Sequence, residues 1–389
     1  MPAPKRPRLP WGALLAIAST TFIVIMTETL PAGLLPYLSS GLGISEGTAG
    51  QLISVYALGS LLTAIPVTAA TRNLRRRPLL LAGLAGFLVA NTVTALAPSL
   101  PVALISRLVA GAFAGLIWSM VAGYVRAIVA PQLAGRALAI ALAGTPVALA
   151  IGTPVGSWLG GITDWRWAFG VMSVLSLITM VWALVIVPDA PGHAPGKRKP
   201  LLRVAAIPGV TPIIATVLVW MLAHNVLYTY VAPYLTGFGI PLGADTALFI
   251  FGFAALAGLL ITGATVDKAL RRSTLTALVA FIAAAALLLA GGAVTAMAVV
   301  GLVLWGLGFG GAATQMQTAL AEAAGADTDA AVSLFTVAFN LAIFAGGVIG
   351  ALLLGSIGAT TLPIAMGAAA ATALAVVLVS RRAAFPSGR

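Results

Sequence analysis

The chain of 389 residues is 60% hydrophobic and only 8% charged, against roughly 25% charged in soluble domains, which excludes a water-facing globular surface. Its net charge of +12 sits in short clusters between apolar runs with no interleaved aromatics, which excludes a nucleic-acid partner. It has no cysteine, so disulfides and thiolate metal sites are excluded, and its two histidines, His193 and His224, cannot build a zinc site by themselves.

A helix needs about 20 mostly apolar residues to cross a bilayer. After the basic start MPAPKRPRLP, the first such run covers 11–38. It is too long for a signal-peptide core and has no small-residue cleavage pattern, so it is expected to remain as the first membrane helix. Further runs cover 47–70, 78–97, 100–124, 136–161 and 167–187. The longest polar interruption follows, DAPGHAPGKRKPLLRV, rich in proline and base. It predicts a linker at 189–205 between two six-helix bundles, 1–188 and 206–389. The second set of runs covers 206–235, 243–265, 273–292, 294–320, 331–355 and 358–380. None of the runs alternates polar and apolar residues as barrel strands do, so the expectation is an all-α membrane protein of twelve helices.

Lysine and arginine in short loops set the orientation. With the N-terminus cytoplasmic, 19 of the 21 basic residues fall inside: Lys5, Arg6, Arg8; Arg72, Arg75, Arg76, Arg77; Arg126, Arg136; Lys197, Arg198, Lys199, Arg203; Lys268, Arg271, Arg272; and Arg381, Arg382, Arg389. Arg166 falls outside and Arg107 within an apolar run. Only the inside stretch carrying Glu322, Asp327 and Asp329 departs, and acids weigh little in this rule. Both termini are therefore expected on the cytoplasmic side of an inner (plasma) membrane.

The two halves repeat. Pro36-Tyr37-Leu38 matches Pro233-Tyr234-Leu235, Gly43-Ile44 matches Gly239-Ile240, and Arg75-Arg76 matches Arg271-Arg272, at offsets of 197, 196 and 196. Parallel repeats predict a substrate cavity between the halves near mid-membrane.

Several stretches then resemble a known family. Gly263-Ala264-Thr265-Val266-Asp267-Lys268-Ala269-Leu270-Arg271-Arg272 resembles the loop signature of major facilitator transporters. The resemblance implies that Asp267 caps a neighbouring helix and that Lys268, Arg271 and Arg272 latch the cytoplasmic face. The first-half copy keeps Arg75 and Arg76 but has Thr71 where the aspartate belongs. Arg107-Leu108-Val109-Ala110-Gly111 resembles the family's membrane arginine motif without its glutamine. Gly144-Thr145-Pro146 with Gly152-Thr153-Pro154-Val155-Gly156 resembles the glycine-proline motif of proton-exchanging exporters, and Asp164-Trp165-Arg166-Trp167-Ala168-Phe169 follows as in that branch. Glu28 with Leu30-Pro31-Ala32-Gly33-Leu34-Leu35-Pro36, Tyr228-Thr229-Tyr230-Val231-Ala232-Pro233, and Ala338-Phe339-Asn340 resemble the sugar-efflux and chloramphenicol-type branch. The resemblance implies drug:proton antiport.

Glu28 lies about ten residues from the outer helix end, about 15 Å deep at 1.5 Å per residue. A carboxyl inside an apolar helix costs about 2.5–3.5 kcal/mol on insertion scales, which points to function. Arg107 lies about 10 Å deep and is expected to pair with the deprotonated Glu28, the two forming the proton-coupling site. A structural arginine bonding helix carbonyls is the alternative. His224 and Asn225 occupy the repeat positions of Thr27 and Glu28, so the second half lacks the acid. Tyr228, Tyr230, His224, Asn225, Asn340, Gln315 and Gln317 are polar groups on apolar helices and are candidates for touching substrate. Trp118, Trp220 and Trp305 could stack on a ring or anchor helices. Gly144, Pro146, Gly152, Pro154 and Gly156 are expected to allow close helix packing that seals the seam between halves.

The expectation is proton-coupled export by alternating access of a sugar, a nucleoside or an amphipathic drug, by a monomer in the lipid bilayer with protons as second partner. Uniport or nutrient uptake is the alternative, and a membrane enzyme a remote one. No cofactor or metal is expected, and no Gly-x4-Gly-Lys-Ser/Thr loop is present for ATP.

Overall fold

The protein is described by a computed structural model covering residues 8–71, 73–192, 200–381 and 383–385. His193 and the bases Lys5, Arg6, Arg72, Lys197, Arg198, Lys199, Arg382 and Arg389 lie outside the described residues. All regular elements among the described residues are helical. Without water in a bilayer, each backbone N–H and C=O must be bonded within its own segment, and the helix does this for apolar runs.

The first six helices are α1 (Trp11–Leu42), α2 (Glu46–Ala64, continued as Pro66–Thr71), α3 (Arg76–Ala95), α4 (Leu100–Ala127), α5 (Pro131–Ile162) and α6 (Trp165–Ile186). After a short helix at Leu201–Ala205 comes α7, Val210–Tyr228, continued as Val231–Gly237. One helix then runs over Ala244–Ala290 with a break at Ala269 (φ −151°, ψ 42°); its arms, 244–268 and 270–290, are α8 and α9. The chain ends in α10 (Thr295–Asp327), α11 (Thr328–Ser356) and α12 (Thr361–Val379). Among the described residues ten continuous helices are long and apolar enough to cross a membrane. The ten count α8 and α9 as one and leave out α2, diluted by Gln51, Ser54, Ser60 and Thr63, so they are consistent with the twelve expected crossings.

The stretch 263–272, expected as a loop, is helical but for the turn at Ala269. Its Asp267, Lys268 and Arg272 are exposed along the helix end. Charge reads as loop only if helices stop at the membrane surface, and here they do not.

The repeated Gly-Ile pairs have a common cause. Gly43 (φ 65°) and Gly239 (φ 63°) both adopt the left-handed conformation that ends a helix, which glycine enters without steric cost. The following amides then turn back, Ile44 N–H to Ser39 O at 3.0 Å and Ile240 N–H to Leu235 O at 2.9 Å. Ser45 caps α2, its Oγ accepting from Thr48 N–H at 3.2 Å. The repeated prolines act differently. Helix α1 runs unbroken through Pro31 and Pro36, whereas α7 opens at Thr229–Tyr230, just before Pro233.

Within the first six helices α1 packs on α2, α5 and α6, and α2 on α4. Within the last six, α7 packs on α11 and α12, and α8–α9 on α10 and α12. The two sets meet where α2 faces α11, α5 faces α8, and α1 faces Val231–Gly237.

Candidate functional site

Arg107 is wholly buried in the middle of the first six helices. Its Nη2 donates to the carbonyl of Thr27 on α1, and its Nε donates to Leu52 O on α2 at 3.3 Å. Its guanidinium lies 4.8 Å from the Tyr56 ring centre and 5.8 Å from that of Phe169. Cation–π attraction of this kind gains strength when water is absent. The third nitrogen, Nη1, is buried with no hydrogen-bond partner. The expected direct pair with Glu28 is therefore not formed in this conformation. Helix carbonyls hold the arginine, and the carboxylate acts on it only through space.

Glu28 is half-buried between the buried Thr27 and Thr29, within reach of the fields of Arg107, Tyr56 and Tyr228. Around it runs a polar seam. Asn91 Nδ2 donates to Thr27 Oγ1 at 3.1 Å, the Tyr56 hydroxyl donates to Val24 O at 3.0 Å, and the Thr29 and Thr153 hydroxyls bond at 2.7 Å. From the other six helices, the Tyr228 hydroxyl meets Thr29 and Thr153. Sequence reading missed Tyr56, Asn91, Thr29 and Thr153, since hydroxyls and tyrosine are unremarkable in membrane helices; only their shared level with Glu28 marks them.

In the glycine-proline stretch of α5 the glycines face α1, while other residues of the same stretch meet the second six helices. A side chain at Gly144, Gly152 or Gly156 would strike Thr21, Met26 or Leu30 of α1. Pro154 cannot donate a backbone hydrogen bond, and α5 widens to a π-turn over Ala148–Gly152. The Thr153 hydroxyl bonds Ala148 O at 3.2 Å and helps satisfy it. The widened turn is the part that meets the other six helices: a Cβ on Gly252 of α8 would stand 2.6 Å from Ala150 Cα. Pro146 is half-buried in the turn before it.

Contacts across the seam gather on the side away from the basic loops. Tyr230 is fully buried there, its hydroxyl donating to Gly347 O at 2.7 Å and accepting from Gln51 Nε2 at 3.3 Å. Gln51 also reaches Gly347 O at 3.3 Å. Gly47 lies against Ala351, and Gly347 against Ser54. Tyr230, expected to touch substrate, is placed in this closure. Beside it, α1, α5, the end of α7 and the start of α8 enclose a 320 Å³ cavity that includes Tyr37, Trp158 and Asp245.

The other second-half candidates separate. Asn225 and Asn340 donate to carbonyls of their own helices, Met221 O and Thr336 O, at 2.8 and 2.9 Å. Gln315 is buried among α8, α9 and α10, donating to Ser273 Oγ at 2.8 Å; Gln317 is exposed. Trp220 packs edge-on to Phe281, and Trp118 is half-buried. His224, Tyr228 and Trp305 come together with Phe251 and Phe309 in one aromatic cluster.

On the basic face the first-half loop is held by a residue from elsewhere. Asp189, just past α6, pairs with Arg75 at 2.5 Å and accepts from Arg77 N–H at 3.1 Å and Ala190 N–H at 2.8 Å. Arg76 N–H bonds Ala190 O at 2.9 Å. Burial opposes ionisation of Asp189, but the two N–H bonds and the Arg75 charge outweigh it and hold the carboxyl below its ordinary 3.8. Asp189 thus stands in for the missing aspartate at position 71. In the second half, Asp267 makes no hydrogen bond or ion pair among the described residues, so the expected helix cap is not formed there, and Arg271 is half-buried with its Nε unpartnered.

Among the described residues no group of three or more histidine or acidic side chains could hold a metal. What the geometry supplies is a membrane-interior carboxyl, a fixed cation beside it and a seam between two helix sets. That is the outline of a polytopic carrier, and the family is shown by comparison: residues 17–330 match the Major Facilitator Superfamily, and the chain belongs to it. It is 30% identical over 388 residues to the "Transcription regulatory protein OpdE" of Pseudomonas aeruginosa, covering 97% of this chain and 96% of that one. It is 26% identical over 354 residues to the "Purine ribonucleoside efflux pump NepI" of Escherichia coli K12, covering 90% and 89%. Its fold is similar to the crystal structure of the human organic anion transporter MFSD10 (TETRAN), with a TM-score of 0.67 at 18% identity, over 95% and 97% of the chains. The chain is a multi-pass membrane transporter of this superfamily.

Proposed function

We propose that the protein exports a small organic molecule in exchange for protons, by rocking of two six-helix bundles, 1–188 and 206–389, about the linker at 189–205. The observation that carries this reading is Glu28, the half-buried carboxyl at mid-membrane next to a buried arginine fixed by carbonyls. An arginine held by the backbone stays in place through the cycle, so the carboxyl can lose its proton without losing a counter-charge. Contacts gathered on the face away from the basic loops support a state closed there and open to the basic face. In this reading the basic face is cytoplasmic, the membrane is the inner (plasma) membrane, and the monomer is the working unit.

Among the three substrate classes, the nucleoside is favoured by the efflux pump named above, 26% identical to this chain. An exporter of this kind would also account for a relative named as a transcription regulator, because removing an inducer from the cytoplasm changes expression without contact with DNA. The test is reconstitution in liposomes with a pH-sensitive dye inside, a proton gradient, and nucleosides, sugars and phenicol drugs added in turn. Substrate-dependent proton flux in the wild type, absent in Glu28→Gln, is the expected result. Transport without proton flux would favour uniport and overturn coupling.

A further inference from the structure

The aromatic cluster of the last six helices has features that packing alone does not account for. His224 and Tyr228 come from α7, Phe251 from α8, and Trp305 and Phe309 from α10. The His224 ring stacks on Phe309 at 3.8 Å between centres with 17° between planes, and Tyr228, Phe251 and Trp305 close round it at 4.8, 5.5 and 5.4 Å. Lipid tails are as apolar as side chains, so no hydrophobic force gathers five rings at one place in a membrane protein. Two polar atoms are also sealed into the box with no partner, His224 Nδ1 and Trp305 Nε1, on side chains 95% and 99% buried by their 5% and 1% exposure. A buried polar atom without a partner destabilises the fold. The repeat places Thr27, Pro31 and Val55 opposite His224, Tyr228 and Phe251, so these three rings have no counterpart in the first half.

The box opens at the seam. Phe309 is its half-buried ring, and the Tyr228 hydroxyl crosses to Thr29 and Thr153 beside Glu28. We propose that the box formed by His224, Tyr228, Phe251, Trp305 and Phe309 is the ring-binding half of the transport site, and that it takes a flat heteroaromatic ring such as a purine base. The ring lies beside His224 on the same face of Phe309, so that its edge nitrogens meet His224 Nδ1 and Trp305 Nε1 while its face stacks on Phe309. The polar remainder of the ligand then lies toward Glu28. This inference rests on the export reading and deepens it.

The test is binding to the purified full chain in detergent micelles, by calorimetry, with adenosine as probe and ribose as its ring-free control. Three variants run beside the wild type: Phe309→Leu, which keeps apolar volume and removes the ring; His224→Phe, which keeps stacking and removes Nδ1; and Phe281→Leu, an aromatic change outside the box. Base–aromatic stacking predicts that Phe309→Leu weakens adenosine binding by roughly tenfold or more. His224→Phe should weaken it less, Phe281→Leu not at all, and ribose should not bind. Unchanged adenosine affinity in Phe309→Leu, ribose binding as well as adenosine, or no adenosine binding by a wild type of normal thermal stability would each overturn the proposal. The export reading fails separately, if liposomes show no proton-coupled movement of any of the three substrate classes.

Discussion

The closure around Tyr230 gives a prediction whose size follows from counted bonds. Tyr230→Phe deletes a hydroxyl that accepts from Gln51 Nε2 at 3.3 Å and reaches Gly47 O at 3.3 Å, both across the seam, while Gln51 retains its bond to Gly347 O at 3.3 Å. Two cross-seam bonds are lost and one is kept. Side-chain hydrogen bonds in membrane proteins average about 0.6 kcal/mol and reach about 1.7. Two bonds at that average come to about 1.2 kcal/mol, so at about 1.4 kcal/mol per decade the population opened on that face should rise roughly sevenfold. The chain has no cysteine, so a single reporter needs no background removal. Ser54→Cys is suited to this, because Ser54 is fully buried against Gly347 with no hydrogen bond of its own. Its reaction rate with a membrane-impermeant maleimide, applied from the face opposite the basic loops, should rise by the same factor in Tyr230→Phe. Adding Gln51→Ala to Tyr230→Phe should raise it further, since the last of the three cross-seam bonds then goes. An unchanged rate in the double variant, with the melting temperature unchanged, would refute the assignment of this contact as the closure.

Arg107→Lys keeps the charge but not the fork that reaches two carbonyls, so it should cost roughly 2–3 kcal/mol and lower the melting temperature in detergent. Gly252→Val should drive α8 off the widened turn of α5 at Leu149–Ala150 and speed maleimide labelling of Ser54→Cys without loss of folded protein; Gly111→Val, which strikes Tyr56 O inside the first six helices, should instead reduce the folded fraction seen by size exclusion. Asp189 has its carboxyl held low by N–H bonds and Arg75, so its contribution is present above pH about 4 and is lost as pH falls through its depressed folded value. Asp189→Asn should therefore lower the melting temperature at pH 7 and flatten its dependence on pH in that acid range; a wild-type and variant difference that stays constant with pH would contradict this.

Apolar run length made the helices legible, and most boundaries agree within about a turn because in a bilayer the run and the helix answer to one requirement. The exception is 263–272, where Asp267, Lys268 and Arg272 were read as loop although the helix continues past the apolar zone. Glu28 and Arg107 stood out as charges in apolar runs. Their relation did not, because the partners that hold Arg107 are the carbonyls of Thr27 and Leu52, which any residue type would supply. The glycines at 144, 152 and 156 announced close packing but not its partner: they face α1, while a backbone turn shaped by Pro154 faces Gly252. The aromatic box was illegible for a similar reason, its rings being spread over 224–309 on three helices with no shared period. Asp189 was hidden by distance, filling a role whose sequence position is Thr71.

In the proposed exchange, substrate and proton compete through Glu28. This competition is tested most directly by adding substrate, chosen from the liposome screen, to the purified protein in weakly buffered detergent solution and measuring protons released per ligand bound. The wild type is predicted to release protons on binding ligand, and Glu28→Gln to bind ligand and release none. Equal release from both proteins, or ligand binding by the wild type with no release at any pH between 5 and 8, would contradict it.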